Sequence, residues 1–149
     1  MMLEDYLKEK GVEYRIIQFN KSTHSAREAA EQLGVPLEKI IKSILFMVGD
    51  TPVLCIVPGD KLVDEGKLRE RFGVGRVRVA TPEEVKNVTG YEIGEVPPIA
   101  LKSFKVLVDS SLVGAGKVYG GGGSKSSILE IDVKDVVSLN GAEVLDITK

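Results

Sequence analysis

The sequence predicts a mixed α/β fold, a single domain over residues 1–149 in which a curved mixed β-sheet approaches a barrel and helices surround it. Three observations predict this. About seven short apolar runs of strand length are interspersed with three or four helical stretches. The two kinds do not alternate strictly, as a doubly wound parallel sheet would require. Finally, 149 residues with 43% hydrophobic content suffice for one good core and are too few for two.

Leu3 to Lys10 has helical composition and stops at Gly11, after which Glu13 to Phe19 alternates as a first strand. Ser25 and Glu28 have capping-box spacing, Ala26 to Leu33 is rich in helix formers, and Gly34 is placed to end that helix. Just upstream stand Thr23 and His24, the only histidine. They read either as an exposed loop or as small polar groups at a pocket mouth. Ile40 to Val48 is a strand, and Gly49 to Pro52 turns it into a second, Val53 to Val57, as an antiparallel pair. Pro58-Gly59-Asp60 ends that strand, Leu62 to Phe72 is an amphipathic helix ending at Gly73, and Val77 to Ala80 is a short strand. Thr81, Pro82 and Glu84 supply the cap, the first-turn proline and the capping-box acid of a helix that ends near Thr89-Gly90. Tyr91 to Pro98 is too rich in glycine and proline for regular structure and reads as a shaped loop. Val106 to Asp109 and Ile128 to Ile131 are strands, and Leu112 to Tyr119 contains another. Val133 to Val137 is a helical turn or short helix, and Val144 to Ile147 closes the sheet.

The strand at Ile40 to Val48 has a cation inside it. Strand side chains alternate between faces, so Lys42 shares one face with Ile40, Ile44 and Phe46, while Ile41, Ser43, Leu45 and Met47 share the other. A strand apolar on both faces belongs in the middle of a sheet, where an unpaired ammonium costs several kcal/mol. Two readings are open. Lys42 snorkels to a rim or pairs with a carboxylate such as Asp109, or it stands at the floor of a pocket with an anionic ligand as its missing partner.

Two loops could border such a pocket. The prolines of Tyr91 to Pro98 fix backbone angles and Gly94 lets another group approach the main chain, so the loop can aim its own N–H and C=O groups at a ligand, or simply connect a helix to a strand. The run Gly120 to Gly123 resembles a phosphate cradle only superficially. Gly116-Lys117 is followed by Val118, which fails the P-loop pattern, and Tyr119 stands at the third glycine of the dinucleotide pattern. A flexible or ligand-bordering hairpin loop remains, with Gly121 as a candidate contact.

Composition excludes several classes. A net charge of −2 argues against coating nucleic acid by bulk electrostatics, although Lys67, Arg69, Arg71, Arg76 and Arg78 form a local basic cluster interspersed with Glu65 and Glu70. No apolar run approaches the ~20 residues of a membrane span, and the N-terminus carries acids rather than a basic leader, so a soluble cytoplasmic protein is expected. The single cysteine, Cys55, permits no internal disulfide and reads as a packed thiol. One histidine and one cysteine make no zinc cluster, and no cofactor is expected.

Taken in order, a capped Ala-Ala helix ending Leu33-Gly34, the strand Ile41-Lys42-Ser43-Ile44-Leu45, Val57-Pro58-Gly59-Asp60, Thr89-Gly90-Tyr91, Gly94-x-x-x-Pro98, Val108-Asp109 and a glycine-rich stretch resemble the YbaK family of aminoacyl-tRNA editing domains. These are relatives of the editing insertion of bacterial prolyl-tRNA synthetase. The likeness runs from about Thr23 to Val137. It implies a barrel-like α/β domain that hydrolyses, without a metal, the ester between a wrong amino acid and the 3′ end of a tRNA. With no synthetase core attached, it implies an editor acting in trans on a mischarged tRNA acceptor end, with prolyl-tRNA synthetase as a further candidate partner. The family's functional lysine falls on Lys42 and its glycine-to-proline loop on Gly94 and Pro98. Ser43, Thr23, His24, Asp109 and Gly121 complete the expected substrate contacts. Members often carry a second glycine where Glu95 stands, and a phenylalanine-glycine pair then histidine at Ile99, Ala100 and Leu101. Some alanine editors carry asparagine at Ser43.

With His24 as the sole imidazole there is no serine, histidine and aspartate constellation, so positioning must carry the rate. Lys42 is expected to bind a phosphate or developing negative charge, and the main chain around Gly94 to Pro98 to hold the aminoacyl group and its ammonium. The competing reading is a binding module of the same fold, gripping a nucleotide or the tRNA end without hydrolysis.

Overall fold

Two adjacent strands that are apolar on both faces set the architecture. The computed structural model describes residues 3–19 and 25–149. In it β2 (Ile41–Val48) and β3 (Thr51–Pro58) form an antiparallel pair, with Ser43 opposite Ile56 and Phe46 opposite Val53. Before them come α1 (Leu3–Lys10), β1 (Tyr14–Gln18) and α2 (Ala26–Leu33). After them come α3 (Glu65–Phe72), β4 (Val77–Val79), α4 (Pro82–Thr89), β5 (Lys105–Asp109), β6 (Lys117–Gly121), β7 (Ser127–Asp132), α5 (Val133–Asn140) and β8 (Glu143–Leu145). Short 3-10 turns at Leu37–Lys39 and Ser110–Leu112 lead into β2 and follow β5.

The expected mixed α/β fold is present, with its strands divided between two sheets. One is antiparallel in the order β1-β7-β6, and the other runs β4-β2-β3-β5-β8, with β3, β5 and β8 parallel to one another. A bridge between Ile40 and Tyr119 joins the sheets at one point, so the barrel stays open.

The alternation along β2 and β3 explains the layers. Ile41, Leu45, Leu54 and Ile56 face the three-stranded sheet and pack with its Val118, Leu129 and Ile131, while Phe46, Val48, Val53, Cys55 and Val57 face the other way onto Leu68 of α3 and Ile147. Val53 to Val57 are fully buried, each apolar side chain contributing about 1.5–3 kcal/mol. Burial pushes the Cys55 thiol up to about 12, consistent with an inert packed residue. In a smaller layer, Ala29 and Ala30 of α2 cover Ile40 and Ile128.

Helix ends follow local chemistry. α3 begins at Glu65 rather than Leu62 because the Asp64 carboxylate accepts from the N–H groups of Gly66 and Lys67. Leu62 is left exposed. α5 runs beyond the expected Val137 to Asn140, capped by Asp132 and ended by Gly141 in the left-handed conformation. α4 has the complete expected capping box of Thr81 and Glu84. Among the described residues no helix is long and apolar enough to cross a membrane.

Candidate active site

A gap in one hydrogen-bonded ladder makes the site. β4 pairs with β2 only at Phe46 to Val48, and the Ala80 N–H then donates to the Leu45 carbonyl at 2.9 Å. Beyond that Thr81 and Pro82 turn the chain into α4. At the other end of β2 the Gly59 N–H donates to the Ile40 carbonyl at 2.6 Å, on the β3 side. Main-chain groups of successive strand residues point to opposite edges, so even-numbered residues here address β3 and odd-numbered ones address the outer edge. Ile40 is even and Leu45 odd. The N–H and C=O of Ser43 therefore point outward, at a position where β4 no longer pairs.

A cavity of about 370 Å³ occupies this gap, and Ile41, Lys42, Ser43, Ile44 and Leu45 all border it. Five consecutive residues, from both faces of a strand, border one space only when that space meets the strand edge-on. Gly120 and Gly121 of β6 lie across from β2, with Gly94 and Val96 along one side and Ser25 and Ala26 at the start of α2 along another. No carboxylate lies among the described lining residues. Among the described residues no group of three or more His, Cys, Asp or Glu is arranged to hold a metal ion.

Lys42 takes the rim arrangement of the two readings, without the carboxylate. Its Nζ donates to the Lys61 carbonyl oxygen at 2.7 Å. Burial lowers its pKa below 10.5, and the nearby Asp60 carboxylate opposes that shift. The result is a half-buried cation at the edge of an otherwise neutral cavity.

Ser43 leaves the opposite face of β2 and sits among apolar neighbours. Its Oγ is buried without a hydrogen-bond partner, the only such side-chain atom among the described residues. Other hydroxyls around the cavity are occupied. Ser25 accepts from the Glu28 N–H at 3.1 Å, Ser124 and Ser127 lie 2.6 Å apart, and Tyr119 is hydrogen-bonded to Glu130.

The glycine run is a close-packing device. Gly120 and Gly121 belong to β6, and a Cβ on Gly121 would lie 2.4 Å from the Val96 carbonyl oxygen. Only glycine lets the two main chains approach so closely. The Gly123 N–H, from a residue at φ +92°, donates to the Glu95 carbonyl at 3.1 Å. The loop from Gly94 to Pro98 is held at its far end too. Asn140 donates to the Pro98 carbonyl at 2.8 Å and accepts from the Ala100 N–H at 2.7 Å. Gly94 borders the cavity, whereas Pro98 is buried behind it against Gly120.

Asp109 stands elsewhere. It is 1% exposed at the end of β5, accepts from the Ile147 N–H at 3.0 Å and from the N–H and hydroxyl of Ser111, and does not border the cavity. Thr23 and His24 lie outside the described residues. In the basic cluster Lys67 pairs with Asp146, Arg71 with Glu143 and Arg78 with Glu84, which leaves these three engaged in surface ion pairs. Sequence reasoning missed Asn140, whose only signal was its place before Gly141 at a helix end. It also missed Tyr119, Ser124 and Ser127, which border the cavity from β6, from the turn after it and from the start of β7.

Comparison with known proteins gives a consistent result. The profile of the family described as "Aminoacyl-tRNA editing domain" matches residues 20–139. The chain is 34% identical over 137 residues to the uncharacterized protein YwhH of Bacillus subtilis strain 168, covering 90% of this chain and 87% of that protein. It is 33% identical over 112 residues to the proline–tRNA ligase of Nitratidesulfovibrio vulgaris, covering 74% of this chain and only 20% of the ligase. Among solved structures, hypothetical protein APE2540 superposes with a TM-score of 0.92 at 34% identity over 99% of both chains. A proposed trans-editing enzyme for prolyl-tRNA synthetase superposes with a TM-score of 0.90 at 32% identity, over 99% of this chain and 94% of the other.

Proposed function

The chain belongs to the aminoacyl-tRNA editing domain family, and from that membership we propose that it is a deacylase hydrolysing the ester between a wrong amino acid and the 3′ end of a tRNA. The likeness of the whole chain to a proposed trans-editing enzyme supports action in trans. The observation that carries the reading is Lys42, a cation at the rim of a neutral cavity that meets β2 edge-on.

An aminoacyl ester is already an activated carbonyl, so a site that positions water and stabilises the tetrahedral oxyanion can hydrolyse it. Water adds to the ester carbonyl, the carbon–oxygen bond to the ribose breaks, and the ribose oxygen leaves with a proton. Lys42 meets the phosphate or the developing negative charge of the tRNA terminus. Held by the Lys61 carbonyl, its ammonium needs little reorganisation to do so. The loop from Gly94 walls the aminoacyl group, and the clamp of Gly121, Gly123 and Asn140 keeps that wall still. A cavity of about 370 Å³ is at the small end of ligand sites. Alanine, cysteine or serine on tRNA(Pro) are the cargoes proposed.

The test is deacylation of alanyl-, cysteinyl- and seryl-tRNA(Pro) by the wild-type protein and Lys42→Ala. The expected result is hydrolysis of at least one species by the wild type, falling about 10²- to 10³-fold in the variant. Silence across the panel from folded protein, with tight binding of uncharged acceptor ends, would replace this reading by a non-catalytic binding module.

A further inference from the structure

We infer that Ser43 seats the α-ammonium of the cargo, which donates to the outward-facing main-chain carbonyl and the unpartnered Oγ of this residue on the open edge of β2. The inference rests on the deacylation proposed above and names the contact that recognises an aminoacyl group as an amino acid.

An aminoacyl ester carries one ammonium, and a neutral cavity must offer it acceptors. The glycine-to-proline loop, the expected holder, has several of its carbonyls already engaged. Its Glu92 carbonyl accepts from the Glu95 N–H, its Glu95 carbonyl from Gly123 and its Pro98 carbonyl from Asn140, and the Val96 carbonyl is turned onto Gly121. No described carboxylate borders the cavity, and Ser25, Ser124, Ser127 and Tyr119 already have partners.

Ser43 differs on both counts. Its carbonyl addresses the edge where β4 has ended, as the bonds of Ile40 to Gly59 and Leu45 to Ala80 establish by alternation. Its Oγ is buried with no partner, a condition that costs stability and is seldom kept without a reason. Ser43, a residue that borders the cavity, thus carries an unpartnered hydroxyl and a carbonyl on the edge that β4 leaves open. The Ser43 N–H on the same edge can face the ester carbonyl oxygen, so the cargo pairs with Ser43 as one residue of a missing strand would. The positive charge of Lys42 is kept away, because that side chain leaves the other face of β2 and is tied to Lys61.

The experiment compares an aminoacyl ester that the wild type hydrolyses with its desamino analogue on the same tRNA, alanyl with propionyl in the first instance. Wild-type, Ser43→Ala and Ser43→Thr proteins are assayed, with melting temperatures recorded. Losing one hydrogen bond to a charged group predicts that Ser43→Ala lowers kcat/KM on the aminoacyl ester by on the order of 10-fold or more. On the desamino ester the change should stay within about 2-fold, because there is no ammonium to lose a partner. Ser43→Thr keeps the hydroxyl and should keep the preference. The melting temperature of Ser43→Ala should be unchanged or raised, since a buried unpaired hydroxyl is removed. Equal penalties on the two esters, or a lowered melting temperature, would overturn this assignment and leave the deacylase reading intact. No wild-type hydrolysis of any aminoacyl ester would overturn both.

Discussion

The ammonium of Lys42 donates to the main-chain carbonyl of Lys61 at 2.7 Å, and no described carboxylate forms an ion pair with it. Burial therefore lowers its pKa with only the more distant Asp60 opposing. If the charged form is the active one, deacylation, after subtraction of uncatalysed hydrolysis, should fall with rising pH at a point below 10.5. Stability should move the other way. The folded state binds this proton less tightly than the unfolded chain, so unfolding free energy rises with pH between the lowered pKa and 10.5. Any residual activity of Lys42→Arg should lack the alkaline decline, because a guanidinium stays protonated there. Rate and thermal midpoint measured over the same pH series check both.

Gly121→Ala should cost about 1–3 kcal/mol and most of the activity, because the new Cβ meets the Val96 and Glu95 carbonyl oxygens, which are backbone and cannot rotate away. Gly94→Ala places its methyl in open space and should cost about 1–2 kcal/mol through its φ of +84° alone. Gly94→Asn should recover part of that, since asparagine tolerates this region. Denaturant midpoints of the three variants separate packing from backbone conformation.

Asp109→Ala should be destabilising by about 1–3 kcal/mol or more, as it strands the buried N–H of Ile147 and that of Ser111. KM for the aminoacyl ester, measured on the folded protein, should be unchanged. A raised KM would return Asp109 to the substrate contacts expected from the sequence.

The Arg78 guanidinium beside Glu84, with the Thr81 N–H, holds that carboxyl at about 2. The folded pKa lies below the unfolded value of 4.5, so the contribution is complete above 4.5 and is lost as pH falls from there toward about 2. Glu84→Gln should flatten the thermal midpoint over that window, and acid titration of the two proteins by circular dichroism checks it.

Much of this fold can be read locally. Thr81, Pro82 and Glu84 carry the start of α4 in three side chains, and Gly34, Gly73 and Gly90 stop helices where left-handed backbone is needed. The strand around Lys42 was legible by alternation, and so were its two faces. The site was only half legible, because its decisive property is an absence. That β4 stops at Val79 beside Phe46 is a matter of pairing between segments some thirty residues apart, which periodicity does not encode. The glycine run was ambiguous for a like reason: nothing local to Gly121 reveals that Val96 will press against it. Lys42 and Gly94 border the cavity, Pro98 supports it from behind, and Asp109 ties β5 to the chain at Ile147.

An unpaired strand edge is ordinarily a hazard, since its row of donors and acceptors templates pairing with a second chain and invites aggregation. In β2 the exposed stretch is short and recessed between β6, α2 and the loop at Gly94. A molecule the size of one amino acid can reach it, while the strand of another protein, with side chains on both faces, cannot lie down in the slot. The same recess that leaves room for a small molecule thus shields this open stretch of β2 from pairing with a second chain, and widening it would trade the one property against the other.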